Sequence, residues 1–412
     1  GTEHEIRRPY EVFINSKNME HFQWIAPPRF SRSHDHLASL SAAVSSGGRL
    51  FYIVDEAPTA AVILEPQWAL VARDAFSGVV LWKRPIPRWQ WHLRGFRSGP
   101  SDLARRLVAV GDRVYVTLGI DAPLTALDAA TGRTLKTYDG TEGTLEVVQE
   151  GGTLYVVAGD VEQLRTAALA RRRGQRPGFV PVLPQRPDYP EVPPLKRLLA
   201  IDADSGRLLW KKADAEVAEL MPTTLAVSRG RVLFQNPDFI FCLDAKTGRE
   251  AWRASRPVSR VRPSWSAPTL VVYDDVVLSA DRAAASKRDT PKTGREVQWI
   301  VSSRGGQAPK GELIAFSLET GERLWSGPAR ECYNAPVDVL VADGLVWTGN
   351  IVHAGDPGVT EGRDPKTGHV KRTRPKDQTF FNLGMGHQRC YRNKATNRYL
   401  VFGRSGVEFI DL

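Results

Sequence analysis

Histidine, cysteine, arginine and tryptophan gather in a few short stretches of this chain, and any chemistry would reside there. His34-Asp35-His36 sets two imidazoles at alternate positions, so an extended backbone points both to one side. Together with His387 they could bind a divalent metal, because imidazole suits zinc or copper. The plainer alternative is that these histidines cap local structure through hydrogen bonds. Cys332 and Cys390 could add thiolates, pair as a disulfide, or stay as two buried thiols. Arg97, Arg262, Arg330 and Arg389 could form a cationic rim for a carboxylate, sulfate or phosphate, with Glu331 and Asn334 beside them. Trp91 and Trp265 offer flat faces for a sugar ring or a quinone, or simply pack. The nucleophile elbow GxSxG, phosphate-cradling glycine loops and HExxH do not occur.

Residues so far apart in sequence can meet only if repeated elements carry them to one face. One pattern recurs: a small residue, an Asp or Ser two on, a Gly four further, and a Trp four beyond. It stands as Ala72-Asp74-Gly78-Trp82, Ala200-Asp202-Gly206-Trp210, Cys242-Asp244-Gly248-Trp252 and Ala315-Ser317-Gly321-Trp325. Two copies lack the tryptophan, Ala126-Asp128-Gly132-Lys136 and Asp364-Gly368-Arg372. The acidic side chain can accept from amides two and three residues on, and the glycine supplies the positive φ of a tight hairpin. The tryptophan after the turn can cover the gap to a neighbouring sheet. Further strand pairs, such as Ala109–Val116 and Val339–Trp347, precede most copies. Four antiparallel strands per repeat, with almost no helical periodicity, predict an all-β propeller.

Successive turn glycines lie 54, 74, 42, 73 and 47 residues apart, so the two long intervals hold insertions. These are a basic, proline-rich stretch at 162–197, containing Arg171-Arg172-Arg173 and beginning with a possible helix over Val161–Arg173, and a second at 282–310 with Lys287, Arg288, Arg295 and Arg304. Either could meet a polyanion or be a solvated loop. The segment 398–412 supplies the middle strands of a seventh unit, while Phe22–Ala26 is a lone strand with Trp24. A seven-bladed ring in which residues 1–30 contribute the closing strand and 31–412 the propeller is therefore expected; eight blades would follow if the chain is a fragment. In such a ring the chemistry-bearing loops line one channel mouth.

The 412 residues carry 56 Lys and Arg against 46 Asp and Glu, a net charge of +10, which permits an acidic partner. No nucleic-acid recognition motif accompanies that charge, so nucleic acid is an unlikely partner. No apolar run approaches the length of a bilayer-spanning helix, and no basic-then-apolar leader opens the chain at Gly1-Thr2-Glu3-His4, which reads as a processed or trimmed end. Three cysteines without a CxxC pair exclude a structural zinc finger or thioredoxin-type motif.

The Asp-x-x-Thr/Ser-Gly-x-x-x-Trp repeats resemble the pyrroloquinoline-quinone-type propeller repeat of quinoprotein dehydrogenases and of the outer-membrane assembly lipoproteins. The resemblance runs from about Leu50 to Leu412. More narrowly, Trp68–Phe76 and Gly386–Thr396 look like large quinone-repeat proteins of planctomycete-type bacteria, whose chains usually continue past the equivalent of Leu412. The dehydrogenases are expected to carry an adjacent Cys-Cys pair and a calcium held by Glu and Asn beside a catalytic Asp; no two cysteines here are neighbours and those motifs do not appear. With those motifs missing and the insertions basic, the expected role is a non-catalytic, periplasmic or otherwise extracytoplasmic binding or scaffold propeller, with no cofactor expected, presenting its basic loop face to a protein or anionic glycan. The alternative is an oxidoreductase or lyase with a quinone, divalent metal or sugar at a mouth built from His34, His36, Arg262, Trp265, Glu331, Asn334, His387 and Arg389.

Overall fold

The structure, a computed structural model, describes residue 24 and residues 40–58, 66–87, 89, 103–162, 195–259, 268–284, 311–329, 339–348 and 360–374, together with the backbone of 394–395, 399–402 and 408–411. It is an all-β propeller of antiparallel sheets, each formed by strands consecutive in the chain. The first sheet comprises β1 (Leu40–Ser46), β2 (Arg49–Asp55), β3 (Trp68–Asp74) and β4 (Val80–Ile86). The second holds β5 (Leu107–Val110), β6 (Arg113–Thr117), β7 (Leu124–Asp128) and β8 (Thr134–Tyr138), and the third β9 (Thr144–Glu150), β10 (Thr153–Gly159), β11 (Lys196–Asp202) and β12 (Leu208–Lys212). The fourth has β13 (Ala226–Ser228), β14 (Arg231–Gln235), β15 (Phe239–Asp244) and β16 (Glu250–Ser255). In the fifth stand β17 (Thr269–Tyr273), β18 (Val276–Arg282), β19 (Gly311–Ser317) and β20 (Arg323–Pro328). The sixth has β21 (Val339–Ala342), β22 (Leu345–Thr348), β23 (Glu361–Arg363) and β24 (Val370–Thr373). A last, three-stranded sheet joins β25 (Lys394–Ala395), β26 (Tyr399–Phe402) and β27 (Glu408–Asp411). The chain forms two compact units, one with the first three sheets, up to Ala218, and one with the rest, from Glu219.

Burial explains the strand sequences. The third strand of a sheet is covered on both faces, so β3, β7, β15 and β19 read as nearly continuous apolar runs. The fourth strand alternates between exposed and covered positions in β4, β16 and β20, the period of two expected where one face meets water. In the first unit Phe51, Leu70, Leu107 and Val116 fill the space between the first two sheets, and Tyr115, Tyr138, Leu154 and Leu199 the next. In the second unit Leu233, Cys242, Val277 and Phe316 form the matching layer. Burial pushes the Cys242 thiol up to about 12, so it acts as a small apolar residue and not a nucleophile.

The turn between third and fourth strands is built by short-range bonds. Asp244 accepts from the amides of Lys246 (3.1 Å) and Thr247 (2.9 Å) and from the Thr247 hydroxyl (2.8 Å). Asp74, Asp128 and Asp364 repeat all three contacts, and Asp202 repeats the last two with Ser205. These bonds favour the ionised carboxylate and hold all five below the usual range. The leading donor is the Ser77 amide for Asp74, the Thr131, Ser205 and Thr247 hydroxyls for Asp128, Asp202 and Asp244, and the Thr367 amide for Asp364.

A folded-state pKa below the unfolded one contributes stability that is present above about pH 4 and lost as pH falls through the folded value. The thermal midpoint should therefore stay level through the neutral range and drop below about pH 4. The fifth copy has Ser317, whose hydroxyl accepts from the Thr320 amide (3.2 Å). Ser317→Asp should raise the midpoint at pH 7 and lose that gain at about pH 2; thermal melts at both pH values check it, and a gain undiminished in acid would overturn the account.

The inserted stretches start and end slightly inside the limits expected from spacing. Lys196 and Arg197 already belong to β11, paired with Gly159 and Ala158, and Arg282 closes β18 opposite Gly311. Ladder hydrogen bonding extends into basic positions that composition alone assigns to a loop. Of the expected Val161–Arg173 helix, only Val161 and Glu162 are described, and both are helical.

Candidate functional site

The repeat glycine is the seat of a neighbouring side chain. The Trp82 indole lies on Gly132, and its Nε1 donates to Ala129 O (3.0 Å). Trp24 covers Gly78 and donates to Ala75 O (3.1 Å); Trp325 covers Gly368 and donates to Pro365 O (2.7 Å). Trp252 covers Gly321 and donates to Leu318 O (2.9 Å). The small residue of the motif faces the tryptophan across the ladder, Ala72 opposite Trp82 and Cys242 opposite Trp252, with a register shift immediately after it. A bulkier partner there would push the indole off its glycine.

The two copies without tryptophan show contacts that spacing does not predict. Lys136 crosses to Gly206 and donates from Nζ to Ser205 O (2.8 Å), while Tyr138 donates to Ala203 O (2.6 Å) from a buried ring. In the sixth sheet Trp347 lies within the sheet, opposite Gly362, and fills the space a side chain at 362 would take. The signal for Trp347 was available, since Gly362 stands two residues before Asp364, the place held elsewhere by Ala or Cys.

Every residue singled out for the channel mouth, His34, His36, Arg97, Arg262, Trp265, Glu331, Asn334, His387 and Arg389, lies outside the described residues. So do Trp91, Arg330 and the disulfide candidates Cys332 and Cys390. The described flank of the Trp91–Arg97 loop packs tightly: Trp89 is fully buried, with the Arg106 guanidinium 4.1 Å from its ring and Arg106 Nη2 donating to Trp89 O (2.7 Å). Beside it Arg105 pairs with the buried Glu146 carboxylate at 3.3 Å.

The richest polar constellation among the described residues is one the sequence reading missed. It lies in the second unit, where β14 and the end of β16 meet β18 and β19. Arg256, only 1% exposed, donates from Nε to Ser279 Oγ (3.2 Å) and from Nη2 to the Glu312 carbonyl (2.9 Å). Ser279 in turn donates to Gln235 Oε1 (2.8 Å), and Gln235 Nε2 donates to Asp281 Oδ2 (3.3 Å). Asp281 Oδ1 also accepts from the Arg282 amide (2.7 Å). Burying these groups is tolerable because they satisfy one another. The Ser279 hydroxyl sits between a guanidinium and a carboxamide, and the Asp281 carboxylate connects to it only through Gln235.

Above Arg256 opens a cavity of about 450 Å³, lined by residues 254–257 of the strand end and by Glu312, Ile314, Phe316, Gly321 and Arg323. The Arg256 side chain is itself only 1% exposed, with Glu312 Oε2 3.4 Å from its Nη1 and the Glu312 side chain 44% exposed. Among the described residues no group of three or more His, Cys, Asp or Glu could hold a metal ion.

Residues 196–379 match the family profile described as outer membrane protein assembly factor BamB. A curated relative, a 1-butanol dehydrogenase (quinone) from Thauera butanivorans, is 28% identical over 142 residues, which is 33% of this chain and only 20% of that enzyme's length. Among solved structures, BamB from Moraxella catarrhalis superposes with a TM-score of 0.47 and 14% identity, covering 89% of this chain and 81% of that one. A europium-containing methanol dehydrogenase superposes with a TM-score of 0.40 and 13% identity, covering 81% and 68%.

Proposed function

This chain is a pyrroloquinoline-quinone-type β-propeller, and from that premise we propose that it is a non-catalytic binding or scaffold protein, extracytoplasmic, which presents a basic loop face to a protein partner. The observation that carries the reading is the match of residues 196–379 to a family described as an assembly factor. The net charge of +10 supports it, concentrated as it is in Arg171-Arg172-Arg173 and in Lys287, Arg288, Arg295 and Arg304. Arginine on such a face engages partner carboxylates in paired hydrogen bonds.

The test places a photo-crosslinking residue at Arg97, Arg262 or Arg389 in the native host and compares wild type with a variant in which Arg171, Arg172 and Arg173 become Gln. A saturable adduct to one partner, reproduced with both proteins purified and weakened by the triple substitution at physiological salt, is the expected result. Absence of any saturable adduct, together with measured turnover, would sink the reading.

The 142-residue likeness to a quinone-dependent dehydrogenase motivates a second reading, an oxidoreductase or lyase with a quinone, metal or sugar at the loop face. An absorption spectrum and elemental analysis of protein from its native host distinguish the two, since a stoichiometric quinone band or metal supports only the second.

A further inference from the structure

The first hairpin turn differs from its repeats in what it shows to solvent. Two residues after the motif Asp or Ser, the third to sixth copies carry Asp204, Lys246, Glu319 and Lys366, and the second carries Ala130. Directly after the glycine, the second, third and fourth copies carry an arginine. The first copy has Phe76 and Val79 at these two places, 77% and 59% exposed. Val80 and Leu81, which open β4, are exposed as well, and strand alternation sets them on its two sides. Four exposed apolar side chains within six residues form a patch of the kind that marks a contact surface.

The turn carries these side chains on a backbone that needs little water. The amides of Asp74, Ala75 and Gly78 donate to the carbonyls of Val79, Gly48 and Asp74, each at 2.9 Å. Those of Phe76 and Ser77 donate to Asp74 Oδ1, and that of Val79 to Ser77 Oγ (3.4 Å). The Ala75 carbonyl accepts from Trp24 Nε1 (3.1 Å) and the Gly78 carbonyl from Arg73 Nη1 (2.5 Å). A turn satisfied in this way can leave bulk water without stranding its amides. Its charges are two guanidinium groups, Arg73 and Arg49, which acts on Asp74, against that single carboxylate. We propose that the first hairpin turn is a membrane contact, which inserts Phe76, Val79, Val80 and Leu81 into the headgroup and upper acyl region of an anionic lipid surface. Four apolar side chains are far fewer than the roughly 20–30 residues a side of a stable protein interface, whereas a lipid surface needs no matching shape. The +10 charge of the whole chain and the arginines beside the turn complement anionic headgroups. Trp24, seated on Gly78, adds an indole at the patch, a ring suited to that boundary.

Flotation of the full chain with vesicles of phosphatidylcholine mixed with phosphatidylglycerol, beside vesicles of phosphatidylcholine alone, tests the assignment. The wild type should bind the mixed vesicles more tightly than the neutral ones. Phe76→Ala changes no charge and installs the residue that the second copy has at this place, so the turn can hold it. Its partition into the mixed vesicles should fall at least about tenfold, the effect of withdrawing a buried ring. Phe76→Trp should keep wild-type binding. Added salt should weaken binding of both the wild type and Phe76→Ala but preserve the ratio between them, because the apolar contribution is not screened. No binding of the wild type to the mixed vesicles, equal binding of Phe76→Ala, or an equal loss with Phe76→Trp would overturn the proposal. If Phe76→Ala lowers only the mass found by sedimentation equilibrium, the patch joins two copies of this chain and the membrane assignment fails. The proposal does not rest on the protein-partner reading, since lipid vesicles are the only other component of the test.

Discussion

Gly321→Ala should cost about 3 kcal/mol, whereas Gly230→Ala should cost about 1 kcal/mol, although both glycines have φ near +73°. The left-handed backbone penalty is the same at the two sites, roughly 1 kcal/mol or slightly more. At Gly230 a β-carbon would meet nothing within 4 Å. At Gly321 it would lie 2.5 Å from Trp252 Cε3, closer than two carbons approach, so the indole must lift away and stretch its 2.9 Å bond to Leu318 O. Moving a packed ring out of the layer with Leu233 and Phe316 adds an overpacking cost of about 2 kcal/mol. Urea denaturation of both variants against wild type measures the difference. Equal midpoints would mean that the indole contributes nothing at its seat and that the motif glycine serves backbone geometry alone.

Arg256→Leu is expected to cost about 3–5 kcal/mol, the usual effect of removing one member of a buried charged set. The guanidinium is 1% exposed and bonds Ser279 and the Glu312 carbonyl, and its loss leaves Ser279 without the donor on that side. Arg256→Lys should recover only part, since an ammonium cannot reach the hydroxyl and the carbonyl in the fork geometry. The effect should persist at high salt, because the group is shielded from counterions. The exposed pair Lys83–Glu56, at 2.7 Å but 46% and 42% exposed, provides the contrast: Glu56→Gln should cost at most about 1 kcal/mol and less as salt is added. Denaturant midpoints at low and high ionic strength check both, and a salt-sensitive loss at Arg256 would contradict the burial argument.

The hairpin turns and their tryptophans are legible in sequence because their interactions span few residues or recur at constant spacing. Asp74, Asp128, Asp202, Asp244 and Asp364 bond to groups two or three residues on, and the positive φ of Gly78, Gly132 and Gly321 follows from the same short segment. Lys136 is not marked by type: it takes over the tryptophan's seat by reaching Gly206 and Ser205 O in the next sheet, and what qualifies it is reach and a donor.

The candidate site divides the same way. His34, His36, His387 and the arginines of the loops attract notice by type alone, and they lie outside the described residues. The Gln235, Arg256, Ser279, Asp281 and Glu312 network had no sequence signature, since its members come from separate strands of two sheets. By itself the amino-acid sequence determined the repeat, the turns and the antiparallel sheets, all of which rest on local hydrogen bonds and period-two burial. Which charges are buried together only the tertiary structure decided, because that outcome depends on distances between residues tens of positions apart that no spacing rule encodes.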